Sequence, residues 1–169
     1  MRTQAFAKWV LFALVLAGGG AITPPVLAVS TGTTLLVTAL VISTCVASAT
    51  PVVFGNYTLG LVDNTGVISV TCSPDVAAYT VALDQGVTGI TTSSRKLTFG
   101  AGTLNYALYS DSNRSVNWGN VQNTDTVASS ASTTSVGAVK TFNVYGRLPA
   151  SQASVAGLYS DLVQVTVTY

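Results

Sequence analysis

No helical period survives beyond residue 28 of this chain; short extended runs divided by turn signals take its place. Val52-Val-Phe54 stops at Gly55-Asn56. Asp63-Asn-Thr-Gly66 has the composition of a turn and leads into the strand Gly66-Val-Ile-Ser-Val-Thr-Cys72. Ser73-Pro-Asp75 turns again, and Ala78-Tyr-Thr-Val-Ala-Leu83 alternates with period 2. Leu97-Thr-Phe99, Leu104–Tyr109, Lys140–Tyr145 and Ser160–Tyr169 complete the set, and Asn120–Gly137, rich in Ser, Thr and Ala, reads as a surface loop or a weak edge strand. Short strands at this spacing predict a single all-β domain, an antiparallel sandwich or barrel.

Composition narrows the chemistry. The 169 residues hold seven Lys+Arg, six Asp, no Glu and no His, and charged residues are 8% of the chain, where about 25% is usual. Without imidazole there is no Ser-His-Asp or Cys-His machinery and no His-ligated zinc. Scattered Asp give few partners for paired-carboxylate catalysis, and scattered basic residues form no patch for nucleic acid. The expectation is a protein that is not an enzyme, with no catalytic, cofactor or metal site and no nucleic-acid partner. Disorder is excluded by the 49% hydrophobic content.

The first 28 residues read as a signal peptide. Arg2 and Lys8 precede the apolar run Trp9–Ala17, Gly18-Gly-Gly20 breaks it, and Val26-Leu27-Ala28 offers small residues for cleavage after Ala28. The run is too short for the roughly 20 residues that cross a bilayer, so no membrane span is expected after cleavage. In an exported chain the two cysteines, Cys45 and Cys72, predict one structural disulfide. Thr33–Ile42 is an uninterrupted extended run with two apolar faces: Leu35, Val37, Ala39 and Val41 on one, Leu36, Leu40 and Ile42 on the other. Such a strand is buried on both sides or held in a groove.

Several bland readings compete with sharper ones. Tyr57, Tyr79, Tyr106, Tyr109, Tyr145 and Trp118 suggest a carbohydrate platform, but their place on alternating strands favours core packing. Asp84, Asp111 and Asp161 lie at separate strand ends or turns and lack the spacing of a calcium loop. Asp111-Ser-Asn-Arg114 is expected to be a hairpin turn with Arg114 as a local ion partner. Ser93-Ser-Arg-Lys96 is expected to be a solvated loop, since no oxyanion-hole motif accompanies its Ser and Lys.

The ordered pieces Cys45, Phe54-Gly-Asn-Tyr57, Gly66–Cys72, Tyr79–Gly86, Leu104–Arg114 with Trp118-Gly119, Val144–Pro149 and Gly157–Tyr169 carry a resemblance. Together they resemble the spore coat protein U domain, the pilin domain of archaic chaperone–usher (Csu-type) pili. The resemblance implies an incomplete immunoglobulin-like β-sandwich over residues 43–169, lacking its final strand and completed by a donor strand. It places the donor in residues 29–42, with Leu35, Val37, Ala39 and Val41 facing the groove. Leu162, Val163, Val165, Val167 and Tyr169 of the terminal strand would line that groove, and Cys45–Cys72 would tie the first strand to its neighbour. The expected partners are identical or related pilins, a periplasmic chaperone and an outer-membrane usher. The expected role is a subunit of a surface pilus for adhesion and biofilm formation. A different class of reading is a self-complemented secreted coat or lectin-like module, whose N-terminal strand completes its own sandwich.

Overall fold

The computed structural model describes residues 27, 29–130 and 138–169. The proposed signal peptide (apart from Leu27) and the end of the Asn120–Gly137 stretch lie outside the described residues. The chain divides into two units, Met1–Ala39 and Leu40–Tyr169. In the first, residues 29–39 contain neither helix nor strand. The second, among its described residues, holds eight strands: β1 (Cys45–Thr50), β2 (Val62–Cys72), β3 (Ala78–Leu83), β4 (Arg95–Phe99), β5 (Gly102–Tyr109), β6 (Val127–Ser130), β7 (Val139–Leu148) and β8 (Val165–Thr168). They form a five-stranded sheet in the order β1-β2-β7-β5-β4 and a three-stranded sheet in the order β6-β3-β8. Every pairing is antiparallel.

Period-2 alternation fixes which residues meet between the sheets. Ile68 and Val70 of β2, Leu104, Tyr106 and Leu108 of β5, and Phe142, Val144 and Leu148 of β7 point inward from the large sheet. Tyr79, Val81 and Leu83 of β3 meet them from the small one. Trp118 links the layers: its indole Nε1–H donates to the Val81 carbonyl at 2.9 Å, and its ring meets Phe142 edge-on at 6.3 Å. Burying one such aliphatic or aromatic side chain stabilises the fold by roughly 1.5–3 kcal/mol.

Two local expectations give way to tertiary structure. Asp63-Asn-Thr-Gly66 does not turn; it lies inside β2, where Asp63 stands opposite Arg147 of β7. Two bonds, 2.8 and 2.9 Å, join that carboxylate to the guanidinium, and the ten-pair ladder with β7 outweighs the turn propensity. Val52-Val-Phe54 forms no strand. Pro51 has no N–H for a ladder, and the chain instead crosses the sheet where Gly66 and Gly146 leave room. A Cβ on Gly146 would sit 2.6 Å from Val52 Cγ1, and one on Gly66 would sit 2.7 Å from the Thr50 carbonyl oxygen. Within Asn120–Gly137, the weak edge strand exists as β6, paired with β3.

Cys45 and Cys72 face each other in the β1–β2 register and are joined by a disulfide. The bond closes a loop with a sequence separation of 27, which in the chain-entropy account stabilises the fold by about 3–4 kcal/mol. The double variant Cys45→Ala, Cys72→Ala is therefore expected to melt about 10 °C lower by calorimetry. A change under about 2 °C would mean that the unfolded chain gains little freedom from losing the bond.

Candidate functional site: the open edge of β8

β8 ends the three-stranded sheet and, among the described residues, pairs with β3 alone, from Leu83↔Val165 to Thr80↔Thr168. Its other edge offers unpaired N–H and C=O groups, the usual template for an added strand. β1, at the end of the larger sheet, approaches it. Val163, Val165 and Val167 alternate inward, half-buried against the core. Leu162 falls on the opposite face and is 79% exposed, while Tyr169, just past the strand, is 56% exposed. Of the five residues expected to line a groove, the structure thus brings three valines together on the inner face and sets Leu162 and Tyr169 in solvent. The strand itself is shorter than Ser160–Tyr169; Ser160 pairs separately with Thr98 as an isolated bridge.

The expected donor residues Leu35, Val37, Ala39 and Val41 carry no secondary structure and are exposed, as are Leu36, Leu40 and Ile42 on the alternate face. An exposed ten-residue run of this apolarity, Thr33–Ile42, is costly in water unless something covers it.

The segment entering β8 is held by polar bonds. The Asp84 N–H donates to the Gln164 carbonyl at 3.1 Å, and the Gln164 N–H donates back to the Asp84 carboxylate at 2.9 Å. The Asp161 carboxylate accepts the Val87 N–H at 2.9 Å and the Tyr106 hydroxyl at 2.7 Å. Burial first, and the Asp161 carboxylate second, push the Tyr106 phenol far above its ordinary pKa, so it stays a donor. Deeper still, Arg95 is fully buried. This corrects the solvated-loop expectation for Ser93–Lys96: Arg95 opens β4 with its side chain inward. Its guanidinium donates to the carbonyls of Asp84 (2.8 Å), Thr92 (2.6 Å), Leu83 (3.0 Å) and Trp118 (2.7 Å). Desolvation lowers its pKa, but an arginine starts high enough to keep its charge.

The other candidates disperse. Tyr79, Tyr106 and Trp118 are core residues, Tyr57 bonds the Pro149 carbonyl and the Gln152 N–H, and Tyr109 faces Tyr145 across β5 and β7. They do not form one platform. Asp111 accepts bonds from Ser115 and Val116 within its own turn, while Asp84 and Asp161 come together beside β8. Arg114 is not a local ion partner; it reaches Asp63 of β2 at 3.4 Å and lies over the Tyr145 ring. No group of three potential metal ligands occurs among the described residues.

A two-sheet antiparallel sandwich of this topology, with one sheet ending on a single-sided strand, is an immunoglobulin-like fold. The spore coat protein U domain family matches residues 31–166, and the chain belongs to that family. Among solved structures the fold is similar to one in the CsuC–CsuE chaperone–tip adhesion subunit pre-assembly complex from the archaic chaperone–usher Csu pili of Acinetobacter baumannii. That match has a TM-score of 0.56 and 22% identity, covering 76% of this chain and 40% of that one. The chain therefore spans less than half the length of that relative. A comparison with curated proteins found no match.

The charges define an expected pH response. The Asp63 carboxyl is held below its usual 3.8 by the Arg147 guanidinium. That of Asp75 is lowered by the Ser43 hydroxyl and then Ser73, and that of Asp111 by the Val116 N–H ahead of Ser115. A carboxyl whose folded pKa is depressed contributes stability above its unfolded pKa and loses it as pH falls through the folded value. No imidazole titrates at neutral pH. The melting temperature should stay within about 3 °C from pH 5 to 9 and fall only below about pH 4. A midpoint of destabilisation near pH 6.5 would contradict this assignment.

Proposed function

We propose that this chain is a subunit of a chaperone–usher pilus that polymerises by donor-strand exchange. Residues 29–42 of one copy would lie along the open edge of β8 in the next, completing its small sheet. The single observation that carries this reading is the edge itself: backbone groups that, among the described residues, are paired on one side only, over three valines half-buried against the core. The exposed, doubly apolar run Thr33–Ile42 has the length and period to fill it. By that period Leu35, Val37, Ala39 and Val41 face inward, above Val163, Val165 and Val167. A one-residue slip would exchange them for Leu36, Leu40 and Ile42.

Family membership and the likeness to a Csu chaperone complex support the same reading. A periplasmic chaperone would cover the edge during export, after removal of residues 1–28, and an outer-membrane usher would deliver the subunit to the surface. Adhesion and biofilm formation are the roles such a fibre would serve. The chain's own chemistry agrees: strand exchange needs apolar alternation and free backbone groups, and it needs no nucleophile or metal.

Co-expression with the cognate chaperone and usher, read as detergent-resistant multimers, tests the proposal. Deleting residues 29–42 should abolish multimers. Replacing Leu35, Val37 and Val41 together with Ser should reduce them more than about tenfold, since each lost apolar contact costs on the order of 1 kcal/mol. The matching replacement of Leu36, Leu40 and Ile42 should reduce them less than about twofold. Normal multimers from the deletion variant, or a stable monomer from the full chain without chaperone, would overturn it in favour of self-completion.

A further inference from the structure

Arg95 and Tyr106 stand directly opposite one another on β4 and β5, both inward-facing and buried. From this one cross-strand pair two polar limbs run to the same place. Arg95 grips the carbonyls of Leu83 and Asp84, and Asp84 in turn exchanges two bonds with Gln164. Tyr106 grips the Asp161 carboxylate, which also receives the Val87 and Leu162 N–H groups. Both limbs thus end on the four residues that enter β8.

The local backbone is shaped around this arrangement. Gly86 has φ +75°, and a Cβ there would lie 2.0 Å from Asp161 Oδ2. Only glycine fits both that conformation and that space. A buried guanidinium is tolerated because four carbonyls receive it. An ordinary core residue would fill the same volume without that arrangement. What it could not do is fix three segments, at Leu83–Asp84, Thr92 and Trp118, at once.

We infer that Arg95 and Tyr106 are positioning residues for strand acceptance: through Asp84 and Asp161 they hold the entry to β8 so that its open edge is already in strand geometry. This rests on the donor-strand reading above. Among the described residues β8 has a single neighbouring strand, and a short edge strand paired on one side frays readily. A clasp at its entry keeps the backbone extended, so an incoming strand meets a formed template.

The test uses the full chain and two tyrosine variants. Tyr106→Phe removes only the hydroxyl bonded to Asp161. Tyr57→Phe removes a hydroxyl with two bonds at Pro149 and Gln152, neither of which belongs to the clasp. Two quantities are read: amide hydrogen exchange by residue, and the rate at which the chain takes up a fluorescent synthetic peptide of residues 29–42. Tyr106→Phe should speed exchange at residues 161–165 by about tenfold, the equivalent of one lost charge-assisted bond of about 1.4 kcal/mol. It should slow peptide uptake at least threefold while exchange in β2 and β7 is unchanged. Gly86→Ala, which displaces the Asp161 carboxylate, should do the same, and Tyr57→Phe should alter neither quantity. Equal exchange at 161–165 in Tyr106→Phe and the unmodified chain would overturn the clasp. So would faster exchange with unaltered uptake. If the unmodified chain takes up no peptide, donor-strand exchange fails instead, and the exchange comparison still decides whether the clasp exists.

Discussion

Among the described residues β8 has a partner on one side only, and polar contacts from Asp84 and Tyr106 converge at its entry. A sheet edge is a row of backbone donors and acceptors, and here it overlies valines that are only half-buried. In the larger sheet β2 and β7 share ten register pairs, and the disulfide secures β1 to β2. Both sheets supply the core, and the three-stranded sheet ends at the one-sided edge of β8.

The few charges fall into two groups. Asp63, Arg147 and Arg114 join β2 and β7 on the surface, where an ion pair contributes up to about 1 kcal/mol. Arg95, Asp84 and Asp161, with the neutral Tyr106 hydroxyl, gather at the entry to β8, where the Arg95 and Tyr106 bonds are part-buried. The low charge content first argues against catalysis. The structure adds that three of the charged residues, Asp84, Arg95 and Asp161, form bonds that lead to the entry of β8.

The strands were legible where period and burial agree. Ala78–Leu83 forms β3 with the boundaries its alternation suggests, and the Cys45–Cys72 bond follows from two cysteines in an exported chain. Local signals failed where distant residues decide. Asp-Asn-Thr-Gly at 63–66 has turn chemistry, yet Arg147, over eighty residues away, keeps it in β2. Val52–Phe54 has strand chemistry, yet two glycines on β2 and β7 open a path across the sheet. Arg95 was the largest omission from the candidate site. A Ser-Ser-Arg-Lys run carries no sign that four carbonyls, from residues 83 to 118, will converge on it. The one faint signal was Asp84-Gln-Gly86, a carboxylate two residues before a glycine that must take a positive φ.

The central claim is that the open edge of β8 and residues 29–42 of another copy form one continuous sheet. Amide hydrogen exchange on assembled multimers, compared with the unassembled chain, tests this most directly. Donor-strand exchange predicts that alternate amides between residues 35 and 41, together with the outward amides of 165–168, become slow by at least about a hundredfold on assembly. Multimers in which both segments exchange as fast as in the unassembled chain would contradict it.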